Sequence, residues 1–180
     1  MGAGLGGGSS NGAFALQLLN QKFQLNLTQA QLLDYALQLG SDCPFFIINK
    51  PAFAQGRGEN LRSIELDLSN YAFVLINPGI HVNTAWAFTQ LSLNSARPRH
   101  GNIQQIIARP VIEWKDSLFN DFENVVFEKH PEIKALKETL YASGAIFASM
   151  SGSGSTVFGI FEKSSFPALK GLENYKVFIF

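Results

Sequence analysis

Apolar residues along this chain fall either at helical spacing or in short continuous runs. Continuous runs predict buried strands over residues 71–76, 146–150, 157–161 and 175–180, and a shorter strand enters a glycine turn at 53–59. Helical spacing predicts helices starting at Asn83 or Thr84, then over 103–108, 117–127 and 131–143. The sequence therefore predicts an α+β fold built from short alternating units, with a boundary between two lobes near residue 70.

Two further helices are predicted near the start of the chain. The first follows a glycine-rich opening, and its N-cap candidates are Ser9, Ser10 and Asn11. The second begins with a capping box at Thr28 and Gln31 and ends at Gly40. Because Pro44 disfavours helical geometry in the residue before it, Cys43 is expected to leave the helix.

Composition excludes several classes of protein. The 180 residues carry 14 basic and 14 acidic side chains, so nucleic-acid binding through bulk positive charge is not expected. No apolar run approaches the roughly 18 residues that span a bilayer, and no secretory pattern opens the sequence. A single cysteine, Cys43, cannot form an internal disulfide. We therefore expect a cytoplasmic protein that binds neither nucleic acid nor membrane.

Residues 2–10, here called the glycine loop, are the first candidate site. They read G-A-G-L-G-G-G-S-S and lead directly into the first helix. Glycine lets main-chain N–H groups approach an anion, and a helix N-terminus adds further donors, so this pattern suits a phosphate. A flexible glycine-serine tail explains the composition equally well. No G-K-[ST] follows, so the segment is not a P-loop.

Three other segments have both a structural and a chemical interpretation. The S-G-S-G-S stretch at 151–155 is typical of a hairpin turn, although a second glycine-serine loop also suits a shared polyanion site. Asp42 is most simply a helix N-cap, and alternatively a carboxylate at the edge of a site. The basic residues Arg97, Arg99 and His100 suit a solvated loop or contact with a substrate phosphate.

Five motifs occur together in an order typical of one enzyme family. They are the glycine loop, G-S-D-C-P-F-F at 40–46, A-Q-G-R-G-E at 54–59, V-N-T at 82–84 following a Pro-Gly turn, and N-D-F-E at 120–123; the S-G-S-G-S loop completes the series. In this order they resemble the GHMP kinases, and within that superfamily the 4-diphosphocytidyl-2-C-methyl-D-erythritol kinases. The likeness extends over nearly the whole chain.

The resemblance implies a fold and an activity. The fold would combine a ribosomal-S5-like lobe, truncated at its N-terminus, over residues 1–70 with a ferredoxin-like C-terminal lobe over 71–180. The activity would be transfer of the ATP γ-phosphoryl group to the 2-hydroxyl of a substrate that carries a cytidine diphosphate group, with Mg²⁺. Isoprenoid biosynthesis would be the setting.

The resemblance also assigns residues. Asp42 would orient or deprotonate the substrate hydroxyl, and no residue is assigned as a direct metal ligand. Thr84 and Phe88 would lie near the cytidine end of the substrate, with Gly152, Ser153 and Gly154 in a loop beside the phosphates. ATP would be bound by Gly2, Ala3, Gly4, Leu5, Gly6, Gly7, Gly8, Ser9 and Ser10.

One family feature does not occur in these 180 residues. The family carries an A-x-A-K-[IV]-N-L segment before the glycine loop, and its lysine takes part in catalysis. We therefore expect a fragment that is inactive alone and exposes apolar surface through which it self-associates. Another GHMP kinase, a non-catalytic nucleotide-binding module of this fold, or a structural domain whose glycine loops are only turns remain alternatives.

Overall fold

Helices account for half of the first 66 residues, and an antiparallel sheet organises the remainder. The computed structural model describes residues 3–93, 102–167 and 169–180. Contacts divide these into two units. Unit 1 is Gly6–Leu66, and unit 2 joins residues 3–5 to Asp67–Phe180.

Unit 1 contains three helices followed by a hairpin. The helices are α1 (Gly7–Lys22), α2 (Gln29–Leu39) and α3 (Cys43–Ile48). The hairpin pairs β1 (Ala52–Gln55) with β2 (Asn60–Ser63), in register Ala52 to Ser63 and Gln55 to Asn60. The predicted strand into a glycine turn therefore forms one arm of this hairpin.

The first helix begins earlier than the sequence predicts. Gly6 is the N-cap, with a φ of 63°, and its carbonyl accepts the first helical hydrogen bond from the Ser10 N–H at 2.9 Å. The prediction that Ser9, Ser10 or Asn11 caps this helix is therefore wrong. A left-handed φ is available to glycine without a Cβ clash, so the chain turns into the helix at Gly6.

The boundaries of the next two helices follow local signals, with one exception. Thr28 and Gln31 form both bonds of the predicted capping box, and Gly40 ends α2. Cys43, in contrast, is the first residue of α3, so the prediction that it leaves the helix is wrong. Proline is tolerated in a first helical turn because its missing N–H would have no intrahelical acceptor there.

The core of unit 1 is small. Its buried residues are Ala13, Leu32, Ala36, Cys43 and Ile47. Leu33 and Phe46 are partly buried against this core, whereas Phe14, Leu18 and Leu37 are 42–61% exposed. Part of the expected exposed apolar surface is therefore present on α1 and α2.

Unit 2 is built on a four-stranded antiparallel sheet. Its strands are β3 (Tyr71–Asn77), β4 (Phe147–Met150), β5 (Val157–Glu162) and β6 (Lys176–Ile179). Their spatial order is β4-β5-β3-β6. Counted from β3 as the first strand, this is the order of a ferredoxin-like sheet. The predicted α+β class is therefore confirmed.

Helices form the long connection from β3 to β4. They are α4 (Thr84–Leu93), α5 (Ile103–Ile107), α6 (Phe122–Lys129) and α7 (Pro131–Ala142), with a 3-10 helix at Val111–Asp116. A second 3-10 helix, Lys163–Ser165, follows β5. The helix predicted over 117–127 begins only at Phe122, because the Asn120 side chain accepts the Phe122 N–H and forms a turn there. The 3-10 helix at 111–116 was not predicted.

The core of unit 2 lies between α7 and the sheet. The predicted stripe on α7 is confirmed, since Ile133, Leu136 and Leu140 are all buried. On the sheet, β3 alternates partly buried and buried positions, while β4 is buried at every position. No helix within the described ranges is long and apolar enough to cross a membrane.

Leu140→Ala is expected to destabilise the chain strongly. Leu140 is fully buried in the core of unit 2, so truncation removes apolar contact and leaves a cavity that costs about 2–5 kcal/mol. Leu39→Ala is the matched control, since Leu39 is 59% exposed and its loss should change stability by less than about 1 kcal/mol. Urea unfolding measures both; equal destabilisation would contradict this assignment of the core.

Candidate functional site

The S-G-S-G-S segment is a hairpin loop, as its turn-like sequence predicts. Residues 151–156, here called the 151–156 loop, join β4 to β5, whose last pair is Met150 with Val157. The loop is closed by main-chain bonds from the Ser151 N–H to the Thr156 carbonyl and from the Gly154 N–H to the Ser151 carbonyl. Ser155, buried, donates its hydroxyl to the Ile80 carbonyl. These bonds fix the shape of the loop.

The same loop packs against the start of the glycine loop. The Ser151 hydroxyl donates to the Gly4 carbonyl at 2.7 Å, and the Thr156 N–H donates to the Ala3 carbonyl at 3.1 Å. A Cβ on Gly4 would lie 2.1 Å from the Ser151 carbonyl oxygen, a separation that real contacts do not reach. Only glycine permits this approach, so the structure brings together two glycine-serine segments 147 residues apart.

The glycine loop then leads into the N-terminus of α1. The first N–H groups of a helix have no intrahelical acceptor, and Gly6 at the N-cap has no side chain to bind them. The aligned peptides add partial positive charge at this end. Gly7 and Gly8 are exposed, and a Cβ on Gly7 would meet nothing within 4 Å. These features suit an anionic ligand such as a phosphate.

Thr84 lies beside the 151–156 loop. Its hydroxyl shares a 2.9 Å hydrogen bond with the hydroxyl of Ser153, while the preceding Asn83 caps α4 by accepting the Trp86 N–H. Phe88, one turn along α4, is 59% exposed and packs edge-to-face on Phe122 at 4.9 Å between ring centroids. Thr84 and Ser153 therefore form one polar pair, with an accessible aromatic ring on the same helix.

Asp42 is an exposed carboxylate in unit 1. It occupies the N-cap position of α3, but its side chain makes no capping hydrogen bond. Its Oδ1 faces the turn of the β1–β2 hairpin, 3.3 Å from where a Cβ on Gly58 would stand. Capping therefore does not account for the acidic side chain, which is chemically able to accept a proton.

The hairpin turn beside Asp42 is shaped by another carboxylate. Glu59 accepts the Arg57 N–H at 2.6 Å, and main-chain N–H groups of Glu59 and Arg57 hold the pKa of Glu59 below its usual value. A Cβ on Gly56 would lie 2.8 Å from a Glu59 oxygen. The A-Q-G-R-G-E motif therefore forms a turn closed by its own hydrogen bonds, and Asp42 lies beside it.

The N-D-F-E motif at 120–123 is part of the family pattern, but the sequence predicts no role for its residues. In the structure, the Asn120 amide donates to the carbonyls of Met150 and Gly152 at 2.7 and 2.8 Å. Glu123, which is only 7% exposed, accepts the Met150 N–H at 2.8 Å. Both side chains thus hold the start of the 151–156 loop. Side-chain bonds across 27–32 residues have no local sequence signal.

Some candidates lie outside the described residues. Gly2 and the basic residues Arg97, Arg99 and His100 fall there. Among the residues that are described, no three His, Cys, Asp or Glu side chains group as metal ligands. The sites argued from structure are therefore the Ala3–Gly4 contact with the 151–156 loop, the α1 N-terminus, Thr84 and Asp42.

Family comparisons agree with the order of the motifs. The sequence model described as "GHMP kinases N terminal domain" matches residues 1–50, and the model described as "GHMP kinases C terminal" matches residues 103–170. The first match includes the glycine loop and Asp42, and the second includes N-D-F-E and the 151–156 loop.

Curated relatives share about half of the aligned residues. A protein of Bacteroides fragilis named 4-diphosphocytidyl-2-C-methyl-D-erythritol kinase is 51% identical over 160 residues, which are 89% of this chain and 57% of the relative. A protein of the same name from Bacteroides thetaiotaomicron is 52% identical over 163 residues, covering 89% and 58%. The chain thus spans less than two thirds of the length of these relatives.

Solved structures show the same fold. A crystal structure of 4-(cytidine 5'-diphospho)-2C-methyl-D-erythritol kinase superposes with a TM-score of 0.74 at 31% identity, over 88% of this chain and 57% of that one. Homoserine kinase from Cytophaga hutchinsonii superposes with a TM-score of 0.70 at 16% identity, over 100% and 65%. The resemblance stated from the motifs is confirmed: this chain belongs to the GHMP kinase family.

Proposed function

We propose that this chain is part of an ATP-dependent kinase that phosphorylates the 2-hydroxyl of 4-diphosphocytidyl-2-C-methyl-D-erythritol, in the non-mevalonate route to isoprenoids. One observation carries the phosphate-binding part of this proposal. Gly4 is held against Ser151 at a distance that only glycine permits, and the chain then enters α1 without a side-chain cap. The names of the relatives support the choice of substrate.

The glycine loop is proposed to bind the ATP triphosphate. Phosphoryl transfer depends mainly on positioning and on stabilising phosphate charge, and main-chain N–H groups at a helix N-terminus supply both. Residues 2–10 are the ATP-binding residues of this proposal. Mg²⁺ would enter with the nucleotide, since kinase Mg²⁺ is coordinated largely by phosphate and water oxygens.

Asp42 is proposed to orient or deprotonate the attacking hydroxyl. Its carboxylate is exposed and not used for capping, so it is available for this role. Unit 1 would then be the remainder of the ATP-binding lobe, and unit 2 the C-terminal lobe. Thr84, Phe88 and Gly152–Gly154 would contact the cytidine-bearing substrate or shape its loop. A cytoplasmic location is part of the proposal, and it is supported by the soluble, nucleotide-linked substrate named for the relatives.

Activity is best tested in a longer chain. We define the extended enzyme as these residues joined, at the N-terminus, to the residues that precede the matched region in the Bacteroides fragilis relative. We expect the extended enzyme to transfer phosphate from ATP to the cytidyl substrate, and the 180-residue chain alone to be inactive. Tight ATP binding without turnover by the extended enzyme would instead support a non-catalytic nucleotide-binding module.

Gly4→Ala is expected to weaken ATP binding by the extended enzyme at least about tenfold. The added Cβ would clash with the Ser151 carbonyl, so the segment that enters α1 must move away from the 151–156 loop. Gly12→Ala is the control, because its Cβ would make ordinary 3.5 Å contact with Leu39 inside a helix. Calorimetric titration with MgATP measures both. Unchanged affinity in the Gly4 variant would exclude this loop from the nucleotide site.

Asp42→Asn is expected to lower kcat of the extended enzyme by about 10²-fold or more with little change in KM. A group that acts on the nucleophile contributes mainly in the transition state. Since Asp42 makes no capping bond, the melting temperature should stay within about 2 °C of the parent value. Asp34→Asn, on the exposed side of α2, is the control. Near-normal kcat with a lower melting temperature would favour a purely structural Asp42.

Self-association of the 180-residue chain is also proposed. Large apolar side chains of α1 and the loop after it are exposed, and Leu18 and Phe23 are each 61% exposed. Large apolar side chains left exposed to solvent favour association. Light scattering over a concentration series should therefore report a mass above that of the monomer, and Leu18→Lys should reduce it. Ile112→Lys, at a 65% exposed position in unit 2, should not. A monodisperse monomer at all concentrations would contradict the proposal.

A further inference from the structure

The 151–156 loop is held from outside its own hairpin by two side chains of the N-D-F-E motif. Within the described residues β4 is an edge strand of the sheet, so no strand pairs with the outer side of Met150 there. Glu123 accepts the Met150 N–H at 2.8 Å, and Asn120 donates to the Met150 carbonyl at 2.7 Å. Both polar groups of one peptide residue are thereby bound by side chains.

Asn120 also reaches into the loop itself. The same amide nitrogen donates to the Gly152 carbonyl at 2.8 Å, two residues beyond the end of β4. Its oxygen accepts the Phe122 N–H at 2.9 Å, which fixes the orientation of the amide. An edge strand needs a hydrogen-bond partner for the Met150 carbonyl, which explains the first bond. It does not require the bond to Gly152, which lies beyond the strand. The second bond fixes the loop relative to the strand.

Glu123 is anchored by charge. Its second oxygen accepts the Lys137 ammonium at 2.6 Å, and its first also accepts the Ser149 hydroxyl at 3.1 Å. A buried carboxylate is tolerated when donors satisfy it, and here three donors converge from α7 and from β4. The carboxylate thus has one orientation, which fixes the Met150 N–H.

We propose that Asn120 and Glu123 are positioning residues that hold the 151–156 loop in the conformation that hydrogen-bonds to Ala3 and Gly4. Loop residues Ser151 and Thr156 make the hydrogen bonds to this segment, so a shift of the loop displaces the start of the glycine loop. The catalytic consequence rests on the proposed function, in which that segment begins the ATP site. The structural consequence does not.

Hydrogen exchange of the 180-residue chain tests the structural consequence. Asn120→Asp keeps the acceptor for Phe122 but places a carboxylate oxygen against two carbonyls. It is expected to lower the protection of the Ser151, Gly154 and Thr156 amides about tenfold. The Thr156 amide is the direct reporter, because it donates to Ala3. Exchange in the paired strands β3 and β5 should not change.

Two further variants separate positioning from a general loss of stability. Ser151→Ala removes only the hydroxyl that binds Gly4, and should reduce protection at Thr156 while Asn120 still holds Gly152. Glu123→Gln keeps an oxygen for Met150 and should lower protection less than Glu123→Ala. The matched control is Asn102→Asp, which keeps the capping acceptor of α5 and should leave loop exchange unchanged.

Kinetics of the extended enzyme test the catalytic consequence. Asn120→Asp should raise KM for ATP about tenfold or more, with a smaller change in KM for the cytidyl substrate. Unchanged exchange at Thr156 in Asn120→Asp would overturn the proposal, as would a fall in melting temperature with equal exchange increases throughout the sheet. An inactive parent enzyme would instead contradict the proposed function, and exchange would still decide whether these residues position the loop.

Discussion

The contact between Gly4 and Ser151 joins residues 3–4 to the 151–156 loop, and the proposed phosphate site depends on it. A Cβ at Gly4 would lie 2.1 Å from the Ser151 oxygen and 2.9 Å from that of Gly154, so the two main chains meet without any side chain between them. Hydrogen bonds on both sides, at Ser151 and Thr156, hold the contact. An interaction of this kind tolerates little displacement, because both hydrogen bonds end on main-chain carbonyls that lie at the point of closest approach. The contact therefore depends on how firmly the 151–156 loop is held in place.

Polar side chains supply that restraint, and they do so at a sheet edge. A buried edge strand must find partners for its outward N–H and carbonyl groups, because unsatisfied groups cost free energy there. Asn120 and Glu123 are those partners at Met150, and Lys137 completes the set by balancing the buried carboxylate. The same atoms thus satisfy the strand and fix the loop that follows it. One set of hydrogen bonds therefore satisfies the polar groups of the edge strand and also positions the loop.

Unit 1 relies on local signals more than on a large core. Three of its five buried core residues, Ala13, Ala36 and Cys43, are small, so burial there contributes modest hydrophobic stabilisation. Local hydrogen bonds fix its elements instead: the capping box sets the start of α2, and the Glu59 carboxylate closes the β1–β2 turn. Asp42 stands out in this setting because no hydrogen bond to α3 uses its carboxylate. A charged side chain at a helix start that does not cap the helix is consistent with a chemical role.

The sequence by itself determined the elements whose causes are local. Apolar periodicity predicted the stripe on α7 and the runs that became β3 and β5, and Thr28 with Gln31 predicted the start of α2. The ordered motifs identified the family. Tertiary structure decided what depends on distant contacts: which glycine caps α1, that Gly4 meets Ser151, and that Asn120 and Glu123 bind Met150. The physical reason is that sequence periodicity reports which face of an element is buried. It carries no information about which backbone groups, 27 to 147 residues apart, are brought within hydrogen-bond distance.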